Sequence, residues 1–231
     1  MTQQKLTAVD CPQCELSDVC RHHGEDVASA TLGEQTPKNS LPKGEFVCIE
    51  GEPFENLYAI HQGAFKSVVS LSSDENRVTG FYFAGEIIGS EAVCANEYGR
   101  SVVALQDSEV CIIEKSAFSI DGDDQQVIRQ GLLVAMSHQV RNEQWTGLMA
   151  AHRAESRVAL FLFMVSKRLE FHGFPTNEFR LPMSREDIAS YLGLAVETVS
   201  RSFQKLKNAG LIQVSGRNVT LVSRSALQDF E

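Results

Sequence analysis

No apolar run in this 231-residue chain approaches the roughly 20 residues that cross a bilayer. The opening stretch, MTQQKLTAVDC, has no charged-then-apolar leader pattern, so a cytoplasmic protein with no membrane segment is expected. Histidine is scarce between Leu41 and Phe118, where His61 is the only one. That scarcity speaks against a metal-dependent cupin enzyme, which needs clustered His and carboxylate ligands on its strands. The chain also lacks a phosphate-cradling glycine loop, a nucleophile elbow and a zincin helix. It is therefore expected not to be an enzyme. A zinc- or metal-binding cupin-like enzyme stands as the alternative from a different class.

What is present fits an ordinary globular protein. Apolar residues make up 43% of the chain, enough for real cores, and the length allows one large or two modest domains. The formal net charge of −9 is unevenly spread: residues 1–150 carry −12 and residues 151–231 carry +3. The basic excess lies in the C-terminal part, where a nucleic-acid partner would need it.

That part contains SREDIASYLGLAVETVSRSFQKLKNAGL, residues 184–211. Ser184 can cap a helix, with Asp187 completing a partial capping box. Ile188, Ala189 and Leu192 supply an apolar face, and Gly193 ends the helix where a left-handed residue costs least. A second helix begins near Val196, with Val199, Phe203 and Leu206 at helical spacing on its buried side. Glu197, Ser200, Arg201 and Lys205 fall on the other side. Two such helices in this order form a helix-turn-helix, whose second helix enters the major groove of double-stranded DNA. The segment IQVSGRNVTLV, 212–222, alternates around Ser215-Gly216 and reads as a hairpin, hence a wing.

Upstream, glycines at 44, 51, 63, 80, 85 and 89 punctuate short apolar runs from Leu41 to about Phe118, the pattern of a β-barrel or sandwich. Phe46 and Cys48, then Leu57 and Ala59, show the alternation of half-buried strands. Further strands pass through Val103 and through Cys111–Ile113. Residues 125–150 contain no proline and read as a helix, with Val127, Leu133, Met136 and Val140 as an apolar stripe interrupted at 141–144. Such a helix either lies on the roll or pairs two subunits through a weak seam, since polar seam residues fix register at a cost in stability. Ala154 to Phe171 is another helix, with Val158, Phe161, Leu162 and Val165 on one face and Gly173 and Pro175 at its end.

Cys11, Cys14 and Cys20 form C-x2-C-x5-C in a polar stretch. Three soft thiolates so placed can hold a metal, with a fourth ligand from elsewhere. His22 or His23 would complete a zinc site. A fourth cysteine would suit an iron–sulfur cluster. Cys48 and Cys94 sit among apolar neighbours and are expected in the core, where a free Cys acts as a small hydrophobe.

Roll, long helix and winged helix-turn-helix together resemble the CRP/FNR family of transcription regulators, from about Cys11 to Leu221. The matching segments are CPQCELSDVC (11–20), LYAIHQGAFKS (57–67), TGFYFAGEIIG (79–89), SEVCIIE (108–114), AESR (154–157) and FRLPMSREDIASYLGLAVETVSR (179–201). The details are most like the family's oxygen-responsive FNR branch. The resemblance implies an α+β chain with a cyclic-nucleotide-binding-like jelly roll. It further implies a cysteine-rich cluster-binding segment over 1–30, a roll over 31–122, a dimerisation helix over 123–152 and a DNA-binding domain over 153–231. A [4Fe-4S] cluster would be held by Cys11, Cys14, Cys20 and Cys111, and sense oxygen or redox state. The partners would be a second copy of the chain, promoter DNA and RNA polymerase. Glu-x-x-Ser-Arg at 197–201 matches the FNR pattern, which implies a palindrome like TTGAT, a four-base gap, and ATCAA. Glu197 would accept from a cytosine amino group, Arg201 donate to guanine, and Ser200 lie against a base edge. Arg185, Lys205 and Arg217 would contact phosphates.

The family's nucleotide-sensing branch is the nearer alternative. Arg100-Ser101 match its phosphate pair, but the expected glutamate position holds Ser90, with Glu91 shifted by one. Arg100 is expected on the surface. Asn142 and Glu143 occupy the adenine-contacting positions, where an extra carboxylate does not suit the pocket.

Overall fold

The structure is a computed structural model and describes residues 38–72, 75–118 and 125–230. Cys11, Cys14, Cys20, His22 and His23 lie outside the described residues. The described chain divides into two compact units, one up to Val140 and one from Arg141.

The first unit is a roll of eight strands: β1 Lys38–Leu41, β2 Phe46–Cys48, β3 Asn56–Gln62, β4 Ala64–Ser72, β5 Glu75–Phe83, β6 Ile87–Ile88, β7 Ser101–Ala104 and β8 Ser108–Glu114. A four-residue helix, α1 Ala92–Ala95, precedes β7. The strands form two four-stranded antiparallel sheets, ordered β1-β8-β3-β6 and β2-β7-β4-β5. Leu57, Ile60, Phe65, Phe83, Ile88, Val102 and Val110 are buried in this unit. Gly63, between β3 and β4, has φ +105°, and a Cβ there would lie 2.1 Å from Ser108 Oγ and 2.8 Å from Ser108 Cα. The turn and the start of β8 thus touch where only glycine fits.

Three expectations for the roll are corrected. Phe46 and Cys48 do not share a buried face: the β2–β7 register shifts between them, so Cys48 is buried while Phe46 is 50% exposed. A bulge of this kind breaks the two-residue period. Cys94 is exposed, because Ala92 takes the inward position of the short α1. Arg100 is half-buried against Glu91 rather than on the surface.

α2 runs from Gln125 to Met149 and spans both units. Leu133 and Val140 are 65% and 54% exposed. With Ser137, Gln144 and Gly147, also exposed, they recur at alternating spacings of four and three, the period of a two-helix seam. Met136, assigned to the apolar stripe, is half-buried.

The second unit holds α3 Ala154–Phe171, β9 Glu178–Arg180, α4 Arg185–Leu192, α5 Val196–Asn208, β10 Ile212–Ser215, β11 Asn218–Leu221 and α6 Arg224–Gln228. Val158, Phe161, Leu162 and Val165 are all buried, as the spacing in α3 predicts. The hairpin turns at Gly216-Arg217, one residue later than expected, because Ser215 pairs with Asn218. β9 adds a third strand, its Phe179 opposite Val219. At three residues it was too short to show alternation.

Candidate functional site

The helix-turn-helix is built from local sequence. Ser184 Oγ accepts from the Asp187 N–H at 3.1 Å, and Asp187 Oδ2 accepts from the Ser184 N–H at 2.9 Å. This reciprocal box starts α4 and satisfies two otherwise orphaned donors. Gly193 ends α4 at φ 63°, ψ 43°. Ala195 is extended, and α5 restarts at Val196. Val199, Ser202, Phe203 and Leu206 are buried, and α5 packs on α3 and α4.

The opposite face of α5 is open. Glu197, Ser200, Arg201, Gln204 and Lys205 are all exposed. Arg201 Nε donates to the Glu197 carbonyl one turn back at 3.3 Å, which steers the guanidinium toward the helix start. Glu197 and Lys205 are about 12 Å apart along the axis. Gln204, not singled out from the sequence, shares this face and donates to Asn208 Oδ1 at 2.8 Å.

The three expected phosphate ligands each have a partner within the chain. Arg185 stacks 3.4 Å above the Phe203 ring centroid, and burial pushes its pKa below the usual arginine range. Arg217 donates to the Pro182 carbonyl at 2.8 Å, while its own carbonyl accepts from the Leu181 N–H at 2.9 Å. The wing turn is thereby tied to the strand leading into α4. Lys205 Nζ is paired with Glu155 in the first turn of α3.

Arg157 is a structural key that no sequence pattern assigned a role. Its guanidinium donates to three carbonyls: Ala150 at 2.5 Å, His152 at 3.0 Å and Leu192 at 3.1 Å. Two of these acceptors lie just beyond α2 and one is the last residue of α4. Helix ends leave carbonyls unsatisfied, and a cation there opposes the negative end of the dipole. Thr146 and Tyr191 add a second link between α2 and α4, with their hydroxyls 2.6 Å apart.

In the roll, Cys111 is half-buried on β8. Its register partners are Ala59 on β3 and Lys38 on β1. Glu109, two residues before it, pairs with Lys38 at 3.5 Å and with His61 at 3.7 Å. Cys48 is a poor thiolate donor: burial, aided by the nearby Glu91, pushes its thiol up to about 12. Among the described residues no group of three or more His, Cys, Asp or Glu side chains is placed to hold a metal. A four-thiolate site that uses Cys111 would need ligands from outside the described residues. Lys38 comes eighteen positions after Cys20, an extended reach of about 60 Å. Four soft thiolates, were they brought together, would suit an iron–sulfur cluster or zinc.

The nucleotide-type pair is internally engaged. Arg100 Nε lies 3.4 Å from Glu91 Oε1, and Ser101 Oγ accepts from the Glu50 N–H at 2.9 Å.

Comparison with known proteins agrees with this architecture. Residues 38–119 match the cyclic nucleotide-binding domain and residues 156–230 the Crp-like helix-turn-helix domain. The transcriptional activator protein Anr of Pseudomonas aeruginosa is 33% identical over 220 residues, spanning 94% of this chain and 90% of the relative. The fumarate and nitrate reduction regulatory protein of Escherichia coli is 30% identical over 226 residues, spanning 95% and 89%. The structure of FixK2 from Bradyrhizobium japonicum superposes with a TM-score of 0.74 at 30% identity, covering 85% of this chain and 97% of that one. These relatives are regulators rather than enzymes, and no described helix is long and apolar enough to cross a membrane. The chain belongs to the CRP/FNR family of DNA-binding transcription regulators.

Proposed function

We propose that this chain is a cytoplasmic, homodimeric regulator that responds to oxygen or redox state and binds an FNR-type palindrome. Cys11, Cys14, Cys20 and Cys111 hold a [4Fe-4S] cluster. The carrying observation is the pairing of Lys38 with Cys111, which brings the chain out of the N-terminal segment beside the fourth thiol. When bound, the cluster supplies an oxygen-labile cross-link between that segment and β8.

The chain's own residues do the rest. Ser90 Oγ is hydrogen-bonded to Gln139 on α2, which joins the roll to the long helix. Leu133, Ser137, Val140, Gln144 and Gly147 form the seam with a second copy. Ser137 and Gln144 keep that seam weak, so a few kcal/mol of differential stability shifts the monomer–dimer balance. Glu197, Ser200 and Arg201 read bases, while Arg185, Lys205 and Arg217 bind phosphates. RNA polymerase is the partner that a promoter-bound regulator serves.

The nucleotide-sensing reading has less support, because Arg100 and Ser101 are held by Glu91 and by the Glu50 N–H. Anaerobically purified protein tests the proposal. It should contain iron and acid-labile sulfide, and bind the palindrome more tightly before exposure to air than after. Colourless protein with stoichiometric zinc, or binding indifferent to air, would overturn it.

A further inference from the structure

Lys205 stands on the open face of α5 with its side chain 62% exposed, yet its ammonium is held by Glu155 at 29% exposure. The two residues are fifty positions apart, so the pair is a product of the fold and not of helical proximity. The hydrogen bond from Lys205 is the main reason the Glu155 carboxyl sits below the usual carboxylate range. The Glu155 carboxyl is thus ionised at neutral pH. A carboxylate oxygen takes one of the three donors of the ammonium, in competition with a phosphate oxygen.

We propose that Glu155 is a counter-charge that sets the strength and salt dependence of DNA binding by competing with phosphate for the Lys205 ammonium. It is a positioning residue that acts through Lys205 and reads no base. The proposal rests on Lys205 being a phosphate contact. Sequence-independent attraction to DNA comes from such contacts, and each one adds to the salt dependence. An exposed pair is weak, so phosphate displaces Glu155 at modest cost. The competing explanation is that Glu155 merely favours the start of α3 through the helix dipole. That role predicts a small loss of thermal stability and no change in DNA binding.

The test uses full-length, anaerobically purified protein: wild type, Glu155→Gln, Lys205→Ala and the double variant. Each is titrated with a palindromic duplex and with a non-palindromic duplex of equal length, across a series of KCl concentrations. Glu155→Gln should tighten binding to both duplexes by about 2–5-fold per subunit, with a steeper salt dependence and an unchanged preference for the palindrome. Tighter binding cannot arise from misfolding. In the Lys205→Ala background, Glu155→Gln should have no effect. A neutral Glu155→Gln beside a weakened Lys205→Ala would overturn the counter-charge. A gain that persists without Lys205 would overturn the route through Lys205. A gain on the palindrome alone would make Glu155 a base-dependent element and overturn it as well. A neutral Lys205→Ala would instead remove the phosphate contact on which the inference stands.

Discussion

Lys38 stands opposite Cys111 in the β1–β8 ladder. Antiparallel partners share a face of the sheet and lie about 5 Å apart at Cα. The chain leaving the cysteine-rich segment therefore enters the roll next to the thiol assigned as fourth ligand. Cys48 and Cys94 have different settings: one is buried with its thiol pushed up to about 12, the other is exposed on α1.

Leu133 and Val140 contribute little to the single chain's core, given their exposure. Leu133→Asp or Val140→Asp should leave the thermal unfolding of the monomer nearly unchanged. Either should shift the chain to monomer in sedimentation experiments and abolish tight binding to the full palindrome. A variant that remains a dimer would place the subunit contact elsewhere.

Glu197 is exposed on the open face of α5, where a carboxylate gains nothing from phosphates. Glu197→Val should therefore relax discrimination at one base pair in each half-site by about 1–3 kcal/mol. A panel of half-site mutations measures this. Equal weakening at every site would show that Glu197 reads no base.

Arg157 is expected to govern the stability of the second unit. Lys in its place keeps the charge but lacks the planar fork that meets three carbonyls. Arg157→Lys should cost about 1–3 kcal/mol, read by denaturant titration of the fluorescence of Trp145, the chain's single tryptophan, which lies on α2. An unchanged midpoint would mean that solvent satisfies those carbonyls equally well.

The DNA-reading part was legible in the sequence because its signals are local. Ser184, Asp187 and Gly193 punctuate α4, and Val199, Phe203 and Leu206 mark the buried side of α5. The roll's strands were legible as a class through glycine turns and alternation. The exceptions came from non-local facts. A register shift against β7 exposes Phe46, and the inward turn of Ala92 exposes Cys94. Arg157 and Glu155 act on acceptors and donors 35 and 50 positions away, which no spacing rule reveals. The stripe on α2 was half legible: Leu133 and Val140 were singled out by spacing, but that Ser137, Gln144 and Gly147 share their exposure shows only in the fold.

The most direct measurement compares Cys111→Ser with Cys48→Ser, both purified without oxygen and analysed for iron, sulfide and visible absorbance. A hydroxyl is a hard, poorly ionised replacement for a thiolate ligand. The account predicts that Cys111→Ser loses the cluster, as do the Ser variants of Cys11, Cys14 and Cys20, while Cys48→Ser and Cys94→Ser retain about one [4Fe-4S] cluster per subunit. A full cluster in Cys111→Ser, or its loss in Cys48→Ser, would contradict the assignment of the fourth ligand.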